Sequence, residues 1–359
     1  MPRVVYDSQV FAEQKHGGVS RYFLSLAGRL PEVSPWTPTL ALGIHMTADP
    51  IPQNVRLFGP RLRVPYLPHT FRIKQRANAL IMRAFQPRDD GATVYHPTWY
   101  HGQSIAAWGS LPVVVTIHDL IPESWPSVTT LAQLADRKSA LERARVVICV
   151  SQTTMNKLAE HYPFAAERAV VARLGVPDLP TPSTTPTGEA PYLVHVGKRG
   201  AYKDFATVIK ALRHVPAEVR LVAVGGGDAS PKEENLLQST GLQSRVRFET
   251  QVTDQRLAEV LAGSRGLISA SREEGFGLPP LEAIAAGKPV ILSDIPVYRE
   301  LYAKWATFFP VGDPEGLAQA ISQGLGGGPA LPQRKELESI FSWDETARLT
   351  SKAYEKALG

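Results

Sequence analysis

One cysteine in 359 residues leaves the chain without an internal disulfide, so its stability must come from buried apolar surface rather than cross-links. Cys149 lies inside Arg-Val-Val-Ile-Cys-Val (145–150), a β-branched run that reads as a buried strand. Nothing beside it suggests a nucleophile. Long apolar runs are missing as well: none approaches the ~20 residues that a membrane-spanning helix needs. The opening Met-Pro-Arg-Val-Val-Tyr-Asp lacks the apolar segment of a signal peptide, which makes the cytoplasm the expected compartment. Asp-x-Asp occurs nowhere, and no His, Asp and Glu cluster has metal-ligand spacing. The expected cofactor set is therefore empty, with no metal required. Acids are absent between Arg61 and Arg88, where seven Lys or Arg residues fall (Arg61, Arg63, Arg72, Lys74, Arg76, Arg83, Arg88). Their number exceeds the surplus of the whole chain, whose formal net charge is +5.

What is present describes a globular α/β protein. With 43% hydrophobic and 20% charged residues, the length suits two domains of roughly 150–200 residues each. Pro177 to Pro191 carries five prolines and no apolar period, and so reads as a linker. The expected organisation is an N-terminal domain over 1–178, a linker over 179–190 and a C-terminal domain over 191–343, with a final helix, 344–359, returning to the first domain. Beyond the linker, short β-branched runs (192–196, 219–224, 246–249, 266–269, 289–292, 307–309) alternate with helical patterns (203–213, 254–262, 280–286). Such alternation predicts a doubly wound parallel sheet. The first half alternates less cleanly, with strands expected at 4–6, 39–42, 55–58, 93–96, 113–117 and 146–150. In open parallel sheets ligands bind beyond the carboxyl ends of the strands, so residues just after strands carry the functional interest.

One such segment is Ser271-Arg-Glu-Glu-Gly-Phe-Gly-Leu-Pro-Pro-Leu-Glu282, where Glu274 and Glu282 flank a glycine-rich turn that opens a helix. Gly275 and Gly277 permit close backbone approach, and Pro279 and Pro280 fit a first helical turn, which does not need their missing N–H groups. The amides of Phe276, Gly277 and Leu278 then suit a diphosphate at the positive end of the helix dipole, while the carboxylates accept from sugar hydroxyls. An ordinary helix start with solvated acids fits the spacing equally well. The wording 274–291, Glu-Gly-Phe-Gly-Leu-Pro-Pro-Leu-Glu-Ala-Ile-Ala-Ala-Gly-Lys-Pro-Val-Ile, resembles the signature of retaining glycosyltransferases of the GT-B type, group 1 or family 4. The resemblance extends over most of the chain, through Phe341-Ser-Trp-Asp-Glu-Thr-Ala and the terminal helix. It implies two Rossmann-like doubly wound domains facing a cleft, with Glu274 on the donor sugar and Glu282 on the nucleotide ribose.

The same resemblance sorts the other strand ends. In Val-Gly-Lys-Arg-Gly-Ala-Tyr-Lys-Asp-Phe (196–205) it implies that Arg199 and Lys203 neutralise a departing diphosphate, with Lys198 competing for the arginine's role and Asp204 standing where Asn or Gly is usual. His16-Gly-Gly-Val-Ser-Arg-Tyr is similar to a loop that closes on donor phosphate, which would employ Gly17 and Gly18; a bare Gly-Gly before a helix often only turns the chain. His118, in Thr-Ile-His-Asp after the 113–117 run, is implied to lie near the donor sugar, with Asp119 structural. Base recognition is implied near Gln251 and Val252, largely by backbone. His96 can touch an acceptor or be core, His195 reads as core, and Ser151 reads as a helix cap. Glu300 matches a common glutamate, although the glycine that usually follows is replaced by Leu301-Tyr-Ala-Lys-Trp.

The implied activity is metal-independent, retaining transfer of a hexose from a nucleotide sugar, with a lean towards mannose from GDP-mannose, to a saccharide or polyprenyl-diphosphate-linked acceptor in surface-polysaccharide synthesis. A nucleotide-sugar epimerase of the same fold and a non-catalytic partner subunit are the alternatives. The stretch 71–85 reads as a helix with Ile73, Ala77, Leu80, Ile81, Ala84 and Phe85 on one side and Arg72, Arg76 and Arg83 on the other. Its basic side suits either ordinary solvation or peripheral contact with an anionic membrane. Nucleic acid is not expected, because no aromatic residues interleave with the charges.

Overall fold

The computed structural model describes residues 1–65, 70–85, 91–183, 191–250 and 252–359. They form two compact units, Met1–Gly175 with Phe341–Gly359, and Val176–Ile340. The division falls just before the expected linker rather than within it. Thr181 accepts a hydrogen bond from Gln255 (3.2 Å), so the chain already lies along the second unit there. Residues 184–190 of the linker, and Arg88 of the basic stretch, are outside the described residues. Among the described residues no helix is long and apolar enough to cross a membrane.

The first unit is built on a seven-stranded parallel sheet in the order Arg56–Leu57, Thr37–Leu40, Arg3–Tyr6, Thr93–His96, Val113–Ile117, Ala144–Cys149, Ala169–Val171. Helices cover both faces of its middle, and the strands there are therefore continuously apolar rather than alternating: every residue of Val113–Ile117 is buried. Cys149 is fully buried, and desolvation pushes its thiol up to about 12, in keeping with a core residue. The closing helix Trp343–Leu358 packs on the helix Gly18–Val33 and on the Ala144–Cys149 strand. Its Tyr354 hydroxyl meets Tyr6 Oη (2.9 Å) and His96 Nδ1 (2.8 Å). His96 Nε2 pairs with Thr116 Oγ1 at 2.9 Å. With both ring nitrogens engaged and no exposed surface, His96 is a core histidine that knits the terminal helix to the sheet.

Sequence pattern misplaces one face in this unit. The helix Phe71–Phe85 buries Lys74, Gln75, Asn78, Ala79 and Met82, and leaves Ile73 68%, Leu80 67% and Phe85 49% exposed. The reason is the backbone it packs against. A small two-stranded sheet, Gly43–His45 with Arg61–Arg63, has polar edge groups that need partners. Asn78 accepts from Ile44 N–H (2.7 Å) and donates to Ile44 C=O (2.9 Å), while Gln75 donates to Gln9 C=O (3.0 Å). Amide side chains thus take the inner face that the apolar residues were expected to occupy.

The second unit holds a six-stranded parallel sheet in the order Val246–Glu249, Arg220–Val224, Tyr192–Val196, Gly266–Ser269, Val290–Ser293, Ala306–Phe309. The chain runs outward from Tyr192–Val196 to one edge and then resumes on its other side at Gly266–Ser269. This places the topological switch point between the carboxyl ends of those two strands.

Candidate functional site

Two loops meet at that switch point, residues 197–204 after Tyr192–Val196 and residues 270–277 after Gly266–Ser269. Three contacts join them. Arg272 N–H donates to Tyr202 C=O at 2.7 Å, the Arg272 guanidinium donates to Asp204 Oδ2 through Nε at 3.0 Å, and Lys203 Nζ pairs with Glu274 Oε1. Asp204 is the one non-glycine residue with positive φ (46°) among the described residues. An aspartate tolerates this conformation better than most side chains, and its carboxylate is held by Arg272. The pinned turn delivers Lys203 to Glu274, and both side chains are largely enclosed (14% and 11% exposed). Ser271 Oγ donates to the same Glu274 oxygen at 2.7 Å.

The turn after Glu274 behaves as its glycines suggest. Gly277 has φ +88° and precedes the helix Leu278–Ala285, with Pro279 and Pro280 in the first turn. Tyr302 Oη donates to Gly277 C=O at 2.8 Å, which fixes the peptide plane that leads into the helix. Phe276 is buried, Leu278 and Gly275 belong to the same turn, and Glu282 lies in the helix's second turn at 1% exposure. Burial foremost, together with the charges of Tyr298, Glu274, Glu282 and Glu300, holds the Tyr302 phenol well above its usual range. This places both signature glutamates, and Glu300, around one tyrosine.

A Cβ at Gly277 would stand 2.6 Å from the Tyr298 ring, at a φ that L-residues avoid. Gly277→Ala is expected to destabilise the second unit by about 1–3 kcal/mol, read as a lower urea midpoint. An unchanged midpoint would show that the turn relaxes without strain.

Arg199 is employed differently from the sequence expectation. Its side chain is 4% exposed, and it donates to Glu233 Oε1 (2.8 Å), Gly225 C=O, Gly227 C=O (2.9 Å) and Asp228 C=O (2.7 Å), with the guanidinium over the Phe248 ring (4.7 Å). Gly225, Gly226 and Gly227 all adopt positive φ, a path that turns carbonyls towards one planar, multi-donor cation. Arg199 organises that loop, whereas Lys198 is exposed. His195 is buried against Phe205 (5.0 Å), and desolvation lowers its pKa to about 3. Val252 is half-buried at the end of the loop that follows Val246–Glu249, and Gln251 lies outside the described residues.

In the first unit the structure gathers the remaining candidates around one helix. Gly17 is the N-cap of Gly18–Val33, in extended conformation. Asp49 supports this start: it accepts from Ser20 Oγ (3.0 Å) and contacts His16 Nδ1 at 2.5 Å. Tyr22, one turn on, sets its ring edge-on to His118 (centroids 4.9 Å). His118 is partly exposed, yet its Nε2 is enclosed, and desolvation lowers its pKa to about 3. The ring is neutral at neutral pH. Asp119 accepts from Ile121 N–H (3.2 Å), a local turn contact.

Two supporting residues escaped sequence reading. Asp49 sits in a Thr-Ala-Asp-Pro turn (47–50) far along the chain, where only its fold neighbours give it meaning. Asp7, directly after the first strand, accepts from Thr98 N–H (2.9 Å), Gln9 Nε2 (2.7 Å) and Tyr95 Oη (2.5 Å), tying together the strand ends at this unit's own switch point. Position after a strand was the available signal for Asp7.

Comparison with known proteins identifies the family. The family model Glycosyltransferase Family 4 matches residues 16–178, and Glycosyl transferases group 1 matches residues 182–337. The serotype-specific mannosyltransferase WbdA of Escherichia coli is 28% identical over 250 residues, covering 62% of this chain and 31% of that protein. The O-antigen chain mannosyltransferase RfbU of Salmonella typhimurium is 26% identical over 211 residues, covering 58% of this chain and 59% of its own. The chain therefore spans about a third to three fifths of the length of these relatives. Among solved structures, sucrose-phosphate synthase from Thermosynechococcus elongatus superposes with a TM-score of 0.77 at 20% identity over 99% of both chains, which shows the GT-B fold with its two Rossmann-like domains. Since the two family models together follow the chain from the Gly17 helix start to the end of the second unit, it belongs to the group 1, family 4 glycosyltransferases.

Proposed function

We propose that the chain transfers a hexose, with retention and without a metal, from a nucleotide sugar to a saccharide or lipid-linked saccharide acceptor in surface-polysaccharide synthesis, with GDP-mannose as the donor. The observation that carries this reading is the Lys203–Glu274 pair at the switch point, set beside the glycine-opened helix that bears Glu282. A cation and a helix N-terminus together suit a diphosphate, whose negative charge grows as the glycosidic bond breaks. Glu274, held by Ser271 as well as by Lys203, would accept from sugar hydroxyls, and Glu282 from the ribose. In the first unit His118 is neutral and so suited to a hydroxyl rather than to an anion, beside the helix start at Gly17 and Gly18. The mannose choice rests on the names of the relatives, a serotype-specific mannosyltransferase and an O-antigen chain mannosyltransferase.

Among the described residues no group of three His, Cys, Asp or Glu side chains is arranged to hold an ion, and the proposed chemistry assigns the leaving-group charge to Lys203 and the backbone amides. The test is nucleoside diphosphate release from GDP-mannose and a panel of other nucleotide sugars, with and without a polyprenyl-diphosphate-linked sugar, in excess EDTA. Release that requires acceptor, persists in EDTA and gives a product of the donor's anomeric configuration supports the reading. Conversion of the nucleotide sugar without acceptor would instead mark an epimerase, and silence across the panel a non-catalytic subunit. Glu282→Ala is expected to raise the donor KM by tenfold or more, the scale of one lost charge-assisted hydrogen bond pair, with a smaller change in kcat.

A further inference from the structure

We propose that the outer face of the Phe71–Phe85 helix, together with the Arg56–Leu57 and Arg61–Arg63 strands, docks on an anionic phospholipid surface. The helix buries Lys74, Gln75 and Asn78 together with Ala79 and Met82, and turns Ile73 and Leu80 to water beside Arg72, Arg76 and Arg83. Ile73 is 68%, Leu80 67% and Phe85 49% exposed, and the two strands add Leu57 at 39% and Leu62 at 59%. These five make up half of the large hydrophobic side chains exposed among the described residues. Scattered single apolar residues need no explanation, but a concentration of this kind marks an interaction surface.

The helix and the two strands are neighbours. Ile44 pairs in register with Leu62, and Asn78 binds the helix to Ile44 through both backbone groups. At the helix's far end, a Cβ on Gly59 would touch Phe85, which brings Phe85 to the connection between the two strands. Arg61 and Arg63 also lie close enough to His45 for their charges to act on it.

Charge selects the occupant. Arg56, Arg61, Arg63, Arg72, Arg76 and Arg83 are all exposed, and no Asp or Glu occurs between residues 50 and 88. Arg72 and Ile73, Arg76, Leu80 and Arg83 alternate along one helix face. A partner must therefore offer many anions and an apolar layer at the same depth. A bilayer rich in acidic phospholipid does both: phosphates for planar guanidinium groups, and an acyl boundary for Ile73, Leu80 and Phe85. A second copy of this face would bring like charges together. A nucleic-acid strand would leave the aliphatic residues unburied and find, among the described residues of this face, one exposed aromatic ring, Phe85, to stack on.

The test is co-sedimentation of the full chain with vesicles of equal phosphatidylglycerol and phosphatidylcholine, against vesicles of phosphatidylcholine alone. Binding is expected with the acidic vesicles and not with the neutral ones, weakening as NaCl is raised to about 0.5 M. Each arginine near such a surface contributes about fivefold to partitioning, so Arg72→Glu with Arg76→Glu and Arg83→Glu is expected to lower it by about a hundredfold or more. A second variant, Ile73→Ser with Leu80→Ser, keeps the charge and is expected to lose the salt-resistant part of the binding. Far-UV circular dichroism checks that both remain folded, as substitutions at exposed positions should. The proposal is overturned by acidic-vesicle binding that neither variant weakens, by no binding to acidic vesicles, by a wild-type dimer that Ile73→Ser with Leu80→Ser dissociates, or by binding to a single-stranded oligonucleotide that exceeds binding to acidic vesicles.

Discussion

Lys203→Ala is expected to lower kcat for glycosyl transfer by about 10²–10³-fold, the loss seen when one preorganised group that stabilises transition-state charge is removed. Donor KM should change much less, because the ammonium matters most once negative charge has moved onto the diphosphate. The pair with Glu274 complicates a single substitution, since alanine leaves a carboxylate that is 11% exposed without its cation, and such a group is costly to leave uncompensated. The double variant Lys203→Ala with Glu274→Gln separates the two effects. If charge stabilisation is the function, the double variant regains thermal stability but not kcat. Recovery of kcat in the double variant, or a threefold loss or less in the single one, would falsify the role given to Lys203.

The second unit was largely legible from sequence because its inner strands are buried on both faces, so apolar runs mark them without ambiguity. Tyr192–Val196, Val246–Glu249 and Gly266–Ser269 fall where β-branched runs predict. The turn at Gly277 was legible for another reason: a glycine with two prolines close behind it, in Gly277-Leu-Pro-Pro280, leaves the backbone few alternatives. The first unit resisted where tertiary contacts overrode pattern. The Gly43–His45 and Arg61–Arg63 strands are three residues each and carry no periodicity to read. The Phe71–Phe85 helix has apolar residues on more than one side, and the small sheet's need for amide partners decided which side turned inward. Arg199 shows a different limit. A cation after a strand suits a ligand phosphate and a cluster of carbonyls equally, and only the positive-φ path of Gly225–Gly227 shows that the carbonyls are there.

The structure also predicts how the first unit fails in acid. His96 and His118 are enclosed in this unit, and desolvation lowers each from 6.5 to about 3, with the charge of His118 adding at His96 and that of Arg137 at His118. His45 and His101, in the same unit, are shifted the same way, again by desolvation first. The second unit has one strongly lowered histidine, His195. A histidine whose folded pKa lies below its unfolded value binds fewer protons when folded. The stability it provides is complete above about pH 6.5 and is lost as pH falls towards 3, at about 1.4 kcal/mol per pH unit for each fully buried group. His96, fully buried, and His118, partly exposed, together thus remove up to about 3 kcal/mol per pH unit from a domain stability that is typically 5–15 kcal/mol. Among the described residues the carboxylates with lowered pKa, Glu233, Glu259 and Asp294, belong to the second unit and are shifted down from their ordinary values, so the interval from pH 6.5 to 4.5 reads mainly the histidines. Five of the six tryptophans (Trp36, Trp99, Trp108, Trp125, Trp343) report on the first unit and Trp305 on the second. Urea midpoints followed by fluorescence should fall steeply across that interval in wild type and about half as steeply for a variant that keeps Trp305 alone. His96→Gln, which retains hydrogen-bonding capacity towards Tyr354 and Thr116 but cannot titrate, should reduce the first unit's slope by about one proton. An identical slope in that variant would mean that His96 is not what acid attacks.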